Sequence, residues 1–231
     1  MTAALKCTYF SRVFIPARHI PISMQDAKTP RQFYTELGYK KLAQRKQSAY
    51  TNSELAYLLR LVRKSGRILD LACGYGRFTI PLAKRGYDIE GIDITPALIK
   101  KAREESSKKR VKVRFRIGDM RKLPYKAGSF SAVICMWDAF SEILDKKDQT
   151  KAIMEIYRVL EPGGFALIEV HSSRFSGCQK PGKIAGIIAN PHYAHNRKSL
   201  SSLVYTAKIR KSSVFTDNFG GRKRLFLKFW K

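Results

Sequence analysis

Residues 68–79 read ILDLACGYGRFT. The apolar start has the make-up of a short buried strand, and the two glycines mark a sharp turn into a helix. A dinucleotide loop reads G-x-G-x-x-G. Gly74 and Gly76 fill its first two positions, but Thr79 stands where the third glycine would let helix and strand pack closely. A phosphate loop needs G-K-[ST], and no such tripeptide follows. The loop therefore lets a ligand approach backbone closely without a phosphate-specific signature.

Outward from this loop the chain alternates strand and helix. The strand spans 67–72, and the helix after it ends near Gly86. A second strand covers 87–94; Thr95 then caps a helix with Pro96 in its first turn, where a missing N–H costs little. Residues 111–117 alternate apolar and basic, a strand with one wet face. Residues 130–137 form a fourth strand and 147–160 a helix with Ile153, Ile156, Tyr157 and Leu160 on one face. Gly163 and Gly164 turn the chain into a fifth strand, 165–170, apolar enough to be buried on both sides. Upstream, 51–65 reads as a helix: Thr51 and Glu54 have capping-box spacing, Leu55, Leu58, Leu59 and Val62 form a stripe, and Gly66 ends it. Five strands alternating with helices predict an α/β fold, a doubly wound, mostly parallel sheet with ligands beyond the carboxyl ends of its strands.

Two acids sit at that edge. Asp93 ends the second strand, 17 residues after Gly76, and Asp119 follows the third. A carboxylate at Asp93 can accept both hydroxyls of a ribose, so the pair beside a glycine loop points to a nucleoside. Together, LDLACGYGR, GIDIT, RIGDMRKLPY, SFSAVICMW and VLEPGGFALIE, in this order and spacing, resemble the class I S-adenosylmethionine-dependent methyltransferases, in their small-molecule branch, over about residues 50–171. The resemblance implies a Rossmann-like three-layer α-β-α domain whose seven-stranded sheet ends in an antiparallel strand, with S-adenosyl-L-methionine as cofactor. It implies that Gly74 and Gly76 hold the methionine part and that Asp70 orders the loop from below. Asp93 would bind the ribose and Ile94 the adenine. Asp119 would accept from the adenine amino group beside the Met120 N–H, and Met136 would offer its carbonyl to the cofactor's amino group. Ala72 replaces the glycine often found there.

No nucleophile is needed for such chemistry, and a general base helps only if the acceptor must lose a proton. His171, directly after strand five, and Asp138, after strand four, are the candidates, with Glu142 beside them. Trp137 and Phe140 wall an acceptor pocket or belong to the core. Tyr34, Tyr39 and Tyr50 belong either to a lid over the cofactor or to ordinary packing. Asn190-Pro191-His192-Tyr193 resembles the N-P-P-Y of amine methyltransferases but lies past strand five, not at the end of strand four, and reads as a turn. His192 and His195, with Cys178 upstream, lack a fourth ligand in pattern, so no metal is expected.

The 231 residues suit one domain with short extensions, and no run of about 18 apolar residues is present, so no membrane span is expected. Four scattered cysteines without a C-x-x-C pair fit a reducing compartment, and the cytoplasm is the expected location. The net charge is +27: +7 over residues 1–60, +8 over 61–170 and +12 over 171–231. Basic flanks attract polyanions, although a solvated lysine-rich surface is an equal reading. A small-molecule acceptor is expected. The alternatives are an RNA methyltransferase using the flanks and a non-catalytic cofactor binder, with an NAD-dependent oxidoreductase more distant; the oligomeric state is open. Residues 1–30 are expected to be a disordered basic extension, with a transit peptide or a start at Met24 as other readings. Residues 31–171 would be the core and 172–231 a basic segment. In that segment 202–209 and 224–230 are the candidate antiparallel pair, although the expected Gly-Phe entry to the last strand is missing. Were the last strand absent, one sheet edge would lie open.

Overall fold

The computed structural model describes residues 27–45, 48–179, 183–184, 187–188, 190–219 and 222–231. The transit-peptide and Met24 readings fall outside these residues. Two helices, α1 (Pro30–Arg45) and α2 (Ser48–Leu61), lead into β1 (Ile68–Leu71), α3 (Thr79–Lys84), β2 (Ile89–Asp93), α4 (Pro96–Lys108), β3 (Arg114–Ile117) and β4 (Phe130–Cys135). α5 (Lys146–Val159) and β5 (Leu160–Val170) follow, then the short strands β6 (Gly177–Gln179), β7 (Lys183–Ile184), β8 (Ile187–Ile188) and β9 (His192–Ala194). α6 (Arg197–Thr206), β10 (Lys211–Phe219) and β11 (Arg222–Trp230) end the chain.

The main sheet has seven strands in the order β10-β11-β5-β4-β1-β2-β3. Strands β3, β2, β1, β4 and β5 run parallel, whereas β11 is antiparallel to both β5 and β10. The winding reverses at β1, which opens a crevice beyond its carboxyl end, where the ACGYG loop lies.

Strand parity explains the three layers. Successive side chains point to opposite faces of a sheet. Ile68, Ala132, Ile134, Leu167 and Phe226 pack with Leu55, Leu58 and Val62 beside Phe78, just before α3, and Leu82 within it. Their neighbours Leu69, Leu71, Val133, Ile168, Leu225 and Leu227 pack instead with Ile153 and Ile156 of α5 and Leu200 and Leu203 of α6. The α2 stripe is thus used as its spacing requires, but its start differs from expectation. The helix begins by Ser48, so Thr51 and Glu54 lie in its body and form no capping box. Glu54 instead turns into the protein and is fully buried.

The C-terminal segment also departs from expectation. Residues 202–209 are not a strand. Asn196 and Ser199 form a reciprocal capping box, and Leu200, Leu203 and Val204 bury one helical face as α6. The antiparallel pair is β10 and β11, in register from Lys211↔Trp230 to Phe219↔Arg222. β11 pairs with β5 from Leu225↔Val170 to Trp230↔Phe165, so no open edge is left at β5. Several cations of this basic segment serve the fold. Arg224 is buried, the Lys228 ammonium lies 4.7 Å from the Phe165 ring centre, and Lys231 donates to the Arg158 carbonyl.

Candidate functional site

β1 ends at Leu71, and Ala72 takes a left-handed φ of 54°, the conformation a glycine would adopt there without strain. The following turn is tied down from two directions. Asp70 is buried and its Oδ2 accepts from the Thr79 hydroxyl at 2.6 Å. Thr79 therefore replaces the third glycine of a dinucleotide loop with a bond from helix to strand. Asp93, at the end of β2, accepts the Gly74 N–H on Oδ2 at 2.9 Å and the Thr95 N–H on Oδ1 at 2.8 Å. Its carboxylate thus orders the loop.

Ala72, Gly74, Asp93, Ile94, Asp119, Met120 and Met136 line one cavity of about 500 Å³, within the usual range of about 300–1,000 Å³ for small-molecule sites. Gly74 has φ 57° and nothing within 4 Å of an added Cβ, so its backbone faces open space. The Thr95 hydroxyl, on the same wall, is buried without a hydrogen-bond partner among the described residues. Asp70 and Gly76 do not line the cavity. Asp70 lies beneath the loop; a Cβ on Gly76 would meet Ile80 and Phe115, so this glycine serves packing.

Asp119 has a partner that sequence reasoning missed. Arg121 grips both of its oxygens, at 3.0 and 2.6 Å, and also bonds Asp148. Burial would raise the Asp119 carboxyl, but the Arg121 hydrogen bonds outweigh it and hold the group below its ordinary range. The two-residue spacing of Asp119 and Arg121 was the available signal. α1 covers the cavity: Tyr34 lines it and donates to Glu142 Oε1 at 2.6 Å. Tyr39 instead packs edge-on against Tyr75, and the Tyr50 side chain lies outside the description.

Two of the three base candidates lie apart from these residues. Asp138 and His171 line a second cavity of about 220 Å³ with Glu169 and Arg224, while Glu142 lines the larger one. Trp137 borders both. Trp137 and Asp138 have φ of 62° and 59°, a left-handed pair costing about 1–3 kcal/mol per residue. Phe140 is fully buried in the core.

Asn190 is buried and Pro191 lines the larger cavity, while His192 and Tyr193 belong to β9, paired with β6. The expected turn is therefore a short strand beyond Pro191. No group of three potential metal ligands occurs among the described residues. Cys73 and Cys135 are free and buried; Cys178 is disulfide-bonded, which departs from the reducing-compartment expectation at that position. No helix among the described residues is long and apolar enough to cross a membrane.

The His192 and His195 imidazoles are each pushed down to about 4, by burial first and then by His171. Both stay neutral when folded but charge near pH 6.5 when unfolded. This stability is complete above about pH 6.5 and is lost as the pH falls towards about 4. Urea unfolding should therefore show a marked loss of stability between pH 7.5 and 5, with a shallower loss in His195→Gln. An equal slope in both proteins would refute the assignment.

Known proteins resemble this chain. Residues 68–164 match the family described as Methyltransferase domain. The chain is 36% identical over 110 residues to the putative methyltransferase YqeM of Bacillus subtilis, covering 48% of this chain and 44% of that protein. It is 39% identical over 106 residues to the demethylmenaquinone methyltransferase of Deinococcus radiodurans, covering 45% and 42% of the two chains. The chain thus spans less than half the length of these relatives. The sugar N-methyltransferase KedS8 from Streptoalloteichus shares the fold with a TM-score of 0.66 at 15% identity, over 97% of this chain and 99% of its own. With the seven-stranded order, the loop after β1 and the strand-end acids on one cavity, these matches show a methyltransferase domain over residues 68–164 and the fold of the class I S-adenosylmethionine-dependent methyltransferases.

Proposed function

We propose that this protein transfers a methyl group from S-adenosyl-L-methionine to an N, O or C atom of a small-molecule acceptor. One observation carries the reading: the open Gly74 backbone and the Asp93 carboxylate, bonded to each other, face one cavity at the sheet's switch point. The chain's residues fit the cofactor. The unpartnered Thr95 hydroxyl and the Asp93 carboxylate on the cavity wall suit a polyhydroxylated ligand, and the apolar Ile94 and Met120 suit an adenine. Asp119, held charged by Arg121, would accept from its amino group. Gly74 and the Met136 carbonyl would hold the amino-acid end, with Gly76 and Asp70 shaping the loop behind it.

When bound, the cofactor's sulfonium supplies an already activated methyl group. The protein's task is then alignment of an acceptor, which can supply about 7–11 kcal/mol of the barrier. Trp137 and Ala139, after β4, and Tyr34 on the covering helix form the wall for that acceptor and exclude water. Residues 31–171 act as the catalytic core, and 172–231 complete the sheet. The small-molecule reading draws on the motif set and on the relatives named for metabolite substrates.

Calorimetry tests the cofactor. The protein should bind S-adenosylhomocysteine at micromolar levels and show no binding of NADH; the reverse preference would exclude the methyltransferase reading. For the acceptor, label from S-adenosylmethionine should appear in a small-metabolite extract at near-physiological salt. Label found only in total RNA would establish the RNA reading instead.

A further inference from the structure

Four charged side chains from four separate segments meet on one face of the sheet. They are Glu54 of α2, Arg77 of the loop after β1, Glu169 of β5 and Arg224 of β11, all at most 8% exposed. Parity brings Glu169 and Arg224 to the α2 side, because they alternate with Val170 and Leu225 on the other. Arg77 donates to Glu54 Oε2 at 2.6 Å. Arg224 bonds Glu54 Oε1 and donates to Glu169 Oε1 at 2.8 Å.

All four also meet Trp137. Glu169 Oε2 accepts its backbone N–H at 3.0 Å, and Glu54 Oε2 accepts its indole N–H at 3.0 Å. The Arg77 and Arg224 guanidinium carbons lie 4.5 and 5.0 Å from its ring centre. Both N–H groups of this tryptophan are held, and two cations lie against its π-system.

A buried ion quartet is poor evidence of a stability device, because desolvating four charges offsets most of their attraction. A left-handed tryptophan, however, persists only where its surroundings over-determine it, and Trp137 borders the 500 Å³ cavity. We propose that Arg224 is a positioning residue. Through Glu54, Glu169 and Trp137 it fixes the wall of the cofactor cavity, so that cofactor binding depends on docking of the last strand. The proposal rests on the cofactor reading above.

The chain has two tryptophans, so Trp230→Phe leaves Trp137 as the sole indole. In that parent, Arg224→Met should red-shift Trp137 emission and raise its quenching by acrylamide. Its affinity for S-adenosylhomocysteine should fall about tenfold, with unchanged far-ultraviolet circular dichroism. Arg224→Lys keeps one charge but not the paired geometry, so its affinity should fall about threefold. If Arg224→Met does not fold, Arg224→Lys carries the test with the same readouts. Unaltered Trp137 emission and quenching would overturn the proposal. So would a lowered unfolding midpoint with unaltered affinity, the result of a purely structural quartet. A parent that binds while Arg224→Met binds equally well overturns this proposal alone. A parent that does not bind overturns the cofactor reading with it.

Discussion

Asp93→Ala should weaken binding of S-adenosylhomocysteine by about 2–4 kcal/mol. The loss has two sources. The bonds proposed between the carboxylate and the ligand's hydroxyls are lost, and the N–H groups of Gly74 and Thr95 lose the acceptors that now hold the loop. Both N–H donors lie in a buried setting, where an unmade bond costs more than its replacement by water would. Asp93→Asn should fall between, because its amide NH2 must face a backbone donor on one side while its carbonyl still serves the other. The fold should survive both changes, since the register of β1 with β2 and β4 runs through backbone bonds that this side chain does not make. Calorimetric titration of each variant, after its circular dichroism is checked, decides the matter. A folded Asp93→Ala protein with native affinity would show that the ribose assignment is wrong.

Gly76→Ala should lower the free energy of unfolding by about 2–4 kcal/mol, combining left-handed strain with overpacking. Its φ is 83°, and an added Cβ would lie 2.9 Å from the Ile80 side chain and 3.1 Å from the Phe115 ring. Both neighbours are themselves buried, so neither can move without disturbing the contact between α3, α4 and β3. Gly74→Ala is the informative contrast. It too has a positive φ, but its Cβ meets nothing, so stability should fall by only about 1 kcal/mol. Its methyl group would instead project into the cavity and weaken ligand binding. Urea unfolding and ligand titration of the two variants should therefore give opposite rankings. The same ranking in both assays would mean that the two glycines do not divide packing from binding in this way.

Much of the fold was legible because its signals are local. The ILDL and FALIEV runs, the glycine turns and Pro96 after Thr95 each need only a few adjacent residues to be read. The misreadings were also local in origin. Residues 202–209 contain strand-like Val204 and Tyr205, but the Asn196 cap lies upstream of the window and commits the segment to helix. Thr51 and Glu54 have the spacing of a capping box, but the helix had already begun at Ser48, and Glu54 was left to find partners in the core.

The sequence by itself determined the strand-helix alternation, the glycine loop and the strand-end acids Asp93 and Asp119. Backbone conformation and strand order place such residues at one edge of the sheet whatever their side chains then do. Tertiary structure alone decided what each side chain faces. His171 and Asp138 follow adjacent strands beside the larger cavity, yet they line the smaller one with Glu169. Arg224 is separated from Glu54 by 170 positions, and no local pattern pairs them. Side-chain direction at a strand end depends on the turn that follows, and ion pairing depends on which strands become neighbours. Both are set by the global packing of the sheet, after the local signals have been spent.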